Sequence, residues 1–153
     1  MPALLILQHV KAIGIFLLLS SVLCGTARAQ GRIVAQITNI RNDKGVCRVC
    51  LFDKADAFKG KEGTPLQCRE VGIRNGRAEA VFTDLPQGNY AVFAFHDANN
   101  NNKFDTNFLG IPKEGYGASR NHLPFAAAPG FEDNKVFLPA GHEVRLAMRF
   151  RNL

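Results

Sequence analysis

The chain contains no tryptophan and only two tyrosines and two methionines, against twelve phenylalanines in 153 residues. An interior built from it is filled by phenylalanine and β-branched side chains, a composition that suits strands. No stretch carries a convincing amphipathic helical period, which argues against helical bundles and alternating α/β layers. Lys and Arg are scattered without a run, so the clustered basic stripe that nucleic-acid recognition needs is missing. A nucleophile elbow, a His-x-x-x-His zinc spacing and a glycine-rich phosphate loop are missing as well, which removes the common hydrolase, zinc and nucleotide signatures.

Long apolar runs are also scarce. Ala12 to Leu23 is an apolar core preceded by Lys11 and followed by Ala27-Arg28-Ala29. This is the layout of a secretory signal peptide over residues 1–29, with cleavage before Gln30. The core is too short for a spanning helix, which needs about 20 apolar residues. The expectation is an exported protein, periplasmic or secreted, with no transmembrane segment after processing. What remains, residues 30–153, has the size of one domain. Removing Lys11 and Arg28 from the 19 basic residues leaves 17 against 13 acids, a net charge of +4. Its sign favours an anionic envelope surface, but its dispersion singles out no face.

Cysteine is equally sparse. Beyond Cys24 in the leader there are Cys47, Cys50 and Cys68, an odd number that implies one disulfide and one leftover thiol in an oxidising compartment. Cys47-x-x-Cys50 has the spacing of a redox motif, but that chemistry wants a helix after it to lower the thiol pKa. Here the motif lies inside the strand-like run Val46 to Phe52. An antiparallel hairpin with the strand starting near Leu66 sets Cys50 opposite Cys68. A structural Cys50–Cys68 bridge is expected, with Cys47 buried on the other face.

What is present is a series of short strands. Arg32–Ile40, Val46–Asp53, Cys68–Ile73, Ala78–Phe82, Tyr90–Phe95, Val136–Leu138 and Glu143–Phe150 are separated by turn residues, among them Asn42-Asp43-Lys44-Gly45 and Ala140-Gly141. Asn75-Gly76 is the signature of a two-residue type I′ hairpin. About seven short strands predict an all-β fold: an antiparallel sandwich, immunoglobulin-like or prealbumin-like, over residues 30–153. Asp84-Leu85-Pro86-Gln87-Gly88-Asn89-Tyr90 resembles the Leu-Pro-x-Gly-x-Tyr turn of prealbumin-like and carboxypeptidase-regulatory-like domains, a resemblance that bears on fold. The alternating Arg145, Arg149 and Arg151 suit an edge strand guarded by charge.

One connection breaks the pattern. Asp97 to Asp133 spans 37 residues, where a turn of about four to six is usual, and such a loop is functional or disordered. Its apolar residues Phe104, Phe108, Leu109, Ile111, Tyr116, Phe125 and Phe131 favour order, with the loop folded over one end of the sandwich. It opens with oxygen-bearing side chains in the rhythm of a calcium loop: Asp97, Asn99, Asn101, the Lys103 carbonyl and Asp105. Phe108 stands where that loop carries its bidentate Glu. Glu114 is the nearest replacement, and without one the affinity would be about 0.1–1 mM. The competing reading is a set of Asx-turns whose side chains bond their own backbone.

The run from His96-Asp97 through Asn99, Asn101, Lys103 and Asp105-Thr106-Asn107-Phe108-Leu109-Gly110-Ile111-Pro112 to Glu114-Gly115-Tyr116-Gly117 and Ser119 resembles the hallmark of a bacterial exported family, domain of unknown function 2141. Phe131-Glu132-Asp133 and the Leu85 to Tyr90 turn fit it too. The resemblance implies an exported β-sandwich with no assigned activity. Asn102 stands where the motif usually has Gly; Asn tolerates the left-handed backbone such a bend requires.

Two function classes follow. One is a binding module for an envelope or extracellular ligand, a glycan or a peptide, with His96, Glu114 and Tyr116 as contacts and calcium as a candidate cofactor. There Tyr116 stacks on the ligand or, with Phe104 and Phe108, plugs the loop onto the sandwich. The other is a small periplasmic hydrolase using His96 and Glu114, with Ser119 as nucleophile. Against it, His96 directly after a strand is more often a residue that orients the loop.

Overall fold

The computed structural model describes residues 29–125 and 127–152; the signal peptide expected over residues 1–29 lies outside them except for Ala29. Among the described residues eight strands are present: β1 (Gly31–Thr38), β2 (Val46–Phe52), β3 (Gln67–Val71), β4 (Ala78–Leu85), β5 (Gly88–Asp97), β6 (Tyr116–Ala118), β7 (Val136–Leu138) and β8 (Glu143–Arg149). Two single-turn helices join them, α1 (Ala55–Phe58) and α2 (Phe131–Asn134). The strands form two sheets. One has the order β4-β1-β8; the other runs β3-β2-β5-β6, with β7 pairing the start of β5 at Gly88 to Tyr90.

Alternation explains the sandwich. Ile33, Ala35 and Ile37 of β1, Ala80 and Phe82 of β4 and Leu146 and Met148 of β8 point inward from the first sheet. Cys47, Val49 and Leu51 of β2 and Tyr90, Val92 and Ala94 of β5 meet them from the second. Among the described residues all strand pairings are antiparallel except one: β1 and β8 run parallel in register from Arg32–Glu143 to Thr38–Arg149. The expected all-β antiparallel sandwich is present, and this parallel pair is a detail within it. Parallel neighbours need a long connection, and here nearly the whole domain supplies it.

The turns behave as their residues dictate. Asn75 and Gly76 both have positive φ, 52° and 68°, and Arg74 and Arg77 exchange backbone hydrogen bonds across them, a type I′ geometry. The Asp43 carboxylate accepts from the backbone N–H of Asn75 and of Gly76, each at 2.8 Å, which holds its pKa below the ordinary value. In the Leu85 to Tyr90 turn the Tyr90 hydroxyl donates to the Pro86 carbonyl at 2.8 Å.

Cys50 pairs with Cys68 across β2 and β3, and the two are bonded. Cys47 is buried and free, and burial pushes its thiol up to about 12. A thiol so placed is inert as a nucleophile.

A second apolar cluster lies on the outer face of the five-stranded sheet. Phe52, Ala57, Ala91 and Phe131 form it, with Phe58 and Phe93 packed against it. Phe58 meets Phe52, Phe93 and Phe131 edge-on, at centroid distances of 5.3 to 6.4 Å. The aromatic series continues to Phe104, which contacts Phe93, Phe95 and Tyr116. The long connection therefore covers the outer face of this sheet and not an end of the sandwich. It is also not one loop, because β6 and the start of α2 fall within it.

Candidate functional site

The segment after β5 is built on three buried polar side chains. Alternation along β5 turns His96 toward the sandwich interior and Asp97 to the outer face; they are 3% and 0% exposed. The His96 Nε2 lies 2.7 Å from the Lys44 carbonyl. A carbonyl only accepts, so this nitrogen carries the proton. His96 thus ties β5 to the turn before β2. Gly45 in that turn has φ 66°, and a Cβ there would stand 2.1 Å from the Asp97 carbonyl oxygen. Only glycine permits this approach.

Asp97 is the hub. Its Oδ1 accepts from the backbone N–H of Asn101 at 3.0 Å, and its Oδ2 from that of Asn102 at 2.9 Å. The Arg48 Nε donates to Oδ2 at 2.6 Å. Burial opposes ionisation of this carboxyl, but the Arg48 guanidinium and the two N–H donors outweigh it and lower its pKa. Arg48 also bridges Glu70 on β3 at 3.1 Å and donates to the Asn102 side-chain oxygen. Asn102 has φ 65°. It supplies the left-handed bend and, unlike a glycine, a side-chain acceptor.

The candidate calcium ligands are engaged within the loop. The Asn99 and Asn101 side-chain oxygens accept from the backbone N–H two residues ahead, at 3.1 and 2.9 Å. These are Asx-turns. Their Nδ2 groups both donate to Asp105 Oδ2, each at 2.9 Å. Asn99, Asn101 and Asp105 therefore meet at one point, presenting two amide nitrogens and a carboxylate. Asp97 belongs to Arg48 instead. Among the described residues, no three His, Cys, Asp or Glu side chains are grouped to hold a metal ion.

Glu114 closes the ring. It is 8% exposed, and its Oε2 accepts from the Asp105 backbone N–H at 3.0 Å. Burial raises its pKa; backbone hydrogen bonds from Asp105 and Ala98 pull the other way. Tyr116, 6% exposed, sits in β6 between Phe95 and Arg151, its ring against Phe93 and Phe104. The three expected ligand contacts, His96, Glu114 and Tyr116, are all buried, but His96 faces the sandwich interior while the Tyr116 ring lies on the outer-face aromatics.

Ser119 is elsewhere. Its Oγ accepts from the Val92 N–H at 3.0 Å and donates to the Asn134 carbonyl at 2.5 Å. Val92 lies four residues from His96 along one strand, about 13 Å, so the structure does not assemble a Ser119–His96–Glu114 set. The buried Asn134 side chain donates to the His122 and Gly130 carbonyls and accepts from the His122 N–H, fixing the second half of the connection.

Between these anchors a small hairpin projects. Lys113 N–H donates to the Asp105 carbonyl, Thr106 bridges Pro112, and Asn107 N–H donates to the Ile111 carbonyl. Asn107 Oδ1 accepts from Leu109 and Ile111 N–H, both at 2.9 Å, and Gly110 turns at φ 77°. The result is a fixed tip with Phe108 94%, Leu109 68% and Ile111 46% exposed. The expectation that Phe108 plugs the loop is corrected: Phe104 does so, while Phe108 faces solvent because Asn107 spends its side chain ordering the turn outward. Arg48, Asn107 and Asn134 were not singled out by sequence reasoning. Asn107 had a readable signal, an Asx residue three before a glycine; the other two depend on long-range partners.

These features define a class: an all-β sandwich bearing, on one sheet, a side-chain-bonded loop with an apolar hairpin tip. The chain belongs to the family described as uncharacterized proteins conserved in bacteria (DUF2141), whose profile matches residues 35–146. No curated protein and no solved structure matched the chain.

Proposed function

We propose that the protein is an exported binding module that recognises an envelope ligand through the hairpin tip Phe108-Leu109-Gly110-Ile111. One observation carries this reading: three large apolar side chains within four residues are held in solvent by a dedicated hydrogen-bonding side chain, Asn107. Contiguous exposed apolar surface is costly to keep unless it meets a partner. His96, Asp97, Arg48 and Glu114 act as its foundation, so that the tip is pre-organised and loses little freedom on binding. The leader over residues 1–29 supplies the route out of the cytoplasm. Sedimentation with isolated envelope fragments tests the reading. The full chain should pellet with them, and Phe108→Ser with Leu109→Ser should abolish pelleting without changing the melting temperature. Equal pelleting of variant and parent would overturn it.

Calcium is a second reading, favoured by the meeting of Asn99, Asn101 and Asp105 at one point. Turning both amides over would present three side-chain oxygens, with the Lys103 carbonyl as a fourth. That exchange gives up two Asx hydrogen bonds, so the site would be weak, and its role would be to stiffen the loop. The hydrolase alternative has no such support, since the polar atoms described for His96, Glu114 and Ser119 are engaged with backbone groups.

A further inference from the structure

We infer that the ligand of the hairpin tip is an anionic lipid surface, into which Phe108, Leu109 and Ile111 insert; this rests on the binding reading above. The dimensions fit. From the Asp105–Lys113 pair to Asn107 is two residues of extended chain, about 7 Å, and the turn over 108–110 carries the apolar side chains beyond that. Interfacial apolar faces bury about 5–10 Å into the headgroup and acyl boundary. The apolar tip would enter the acyl region while the base of the hairpin stays at headgroup level.

The charges fit as well. Across residues 98–119 the exposed charged side chains are Lys103 and Lys113. Lys113 sits at the hairpin base, bonded through its backbone to Asp105, and Lys103 precedes the hairpin by two residues. The acids of the same stretch are withdrawn: Glu114 is buried beneath the loop, and Asp105 is partly buried with its carboxylate turned to Asn99 and Asn101. An apolar wedge with ammonium groups set behind it is complementary to a bilayer carrying anionic headgroups, where Lys stems run along apolar surface and their charges stay at the interface. A protein groove would accept the apolar tip equally well but gives no reason for the acids to be withdrawn.

The test uses the full chain and protein-free vesicles of phosphatidylcholine, alone or mixed with phosphatidylglycerol. The chain lacks tryptophan, so Phe108→Trp installs a single indole reporter at the tip. Expected are co-sedimentation that rises with phosphatidylglycerol, a blue shift of the indole emission, and quenching by lipids brominated in the acyl chain. Phe108→Asp should weaken partitioning about tenfold or more, and Lys103→Glu with Lys113→Glu should remove the dependence on anionic lipid and salt. Comparing each variant with its parent cancels any contribution of the N-terminal segment. An unmoved emission, or partitioning unaffected by Phe108→Asp, would overturn the inference. Pelleting with envelope fragments but not with vesicles would overturn lipid while leaving recognition standing, its ligand then a protein or glycan. Failure of both would remove both. A Phe108-dependent dimer formed without lipid would assign the tip to a second copy and also overturn it.

Discussion

At the scale of single residues, the Arg48–Asp97 pair fixes the loop. Asp97 is fully enclosed and Arg48 nearly so, with a side chain 20% exposed. Removing one partner of such a pair leaves a buried charge uncompensated. Arg48→Met is expected to cost about 3 kcal/mol in urea unfolding, and Arg48→Met with Asp97→Asn distinctly less than the sum of the single changes. An additive double variant would show that the two residues act separately. Glu114 makes the opposite contribution. Its folded pKa stands above the ordinary 4.5 because it is buried, so the native state holds the proton more tightly than the unfolded chain. Its contribution to stability therefore declines as pH rises from the unfolded value through the folded one. Asp97, with a folded pKa below 3.8, loses its contribution only as pH falls through that lower value. Glu114→Gln should gain on the parent in melting temperature as pH rises from about 4.5 toward neutrality. A gap constant with pH would contradict this assignment.

At the scale of elements, the loop depends on a turn distant in sequence. Gly45 lets the turn before β2 lie against the Asp97 carbonyl and Ala98, and His96 bonds the neighbouring Lys44. Gly45→Ala places a methyl group in left-handed backbone and against another backbone, a cost of about 3 kcal/mol. Denaturant midpoints should register it, whereas Gly60→Ala, also at positive φ but with open space around its α-carbon, should show only the smaller backbone penalty. The seven strands anticipated from alternation and turn residues are all present, because Ile33-Ala35-Ile37 and Cys47-Val49-Leu51 alternate cleanly and Asn75-Gly76 admits one turn. β6 was not legible: Tyr116-Gly117-Ala118 has no alternation, and its pairing comes from Phe95 on one side and Arg151 on the other. The parallel β1–β8 register was hidden for a related reason, since nothing local records which strand a terminal strand will join. For the site, the regular spacing of Asp97, Asn99 and Asn101 revealed a tightly bonded loop. It left open whether those oxygens face a cation or their own backbone, because both arrangements use the same spacing.

At the scale of the whole molecule, the two readings of that loop separate thermodynamically. As built, Asn99, Asn101 and Asp105 bond one another and the backbone, so a calcium site formed by turning over two amides would have to displace two Asx hydrogen bonds. A dissociation constant near 0.5 mM, within the range of extracellular calcium modules, would give about 1.4 kcal/mol at roughly 5 mM calcium. In a domain of this size that is a rise of about 4–6 °C in melting temperature. The calcium reading predicts this rise over a chelator-treated sample, under oxidising conditions that keep Cys50–Cys68 closed, and its loss in Asp105→Ala. No rise would remove calcium and leave the Asx-turns as the whole account of the loop. The same samples carry a second readout. If calcium only stiffens the loop, sedimentation with envelope fragments should be stronger with calcium than with chelator in the parent chain and indifferent to it in Asp105→Ala. Phe108→Ser with Leu109→Ser should keep the thermal response and lose the binding. That split is decisive because the ion would act at the base of the hairpin and the ligand at its tip, so a chain can lose either one while retaining the other.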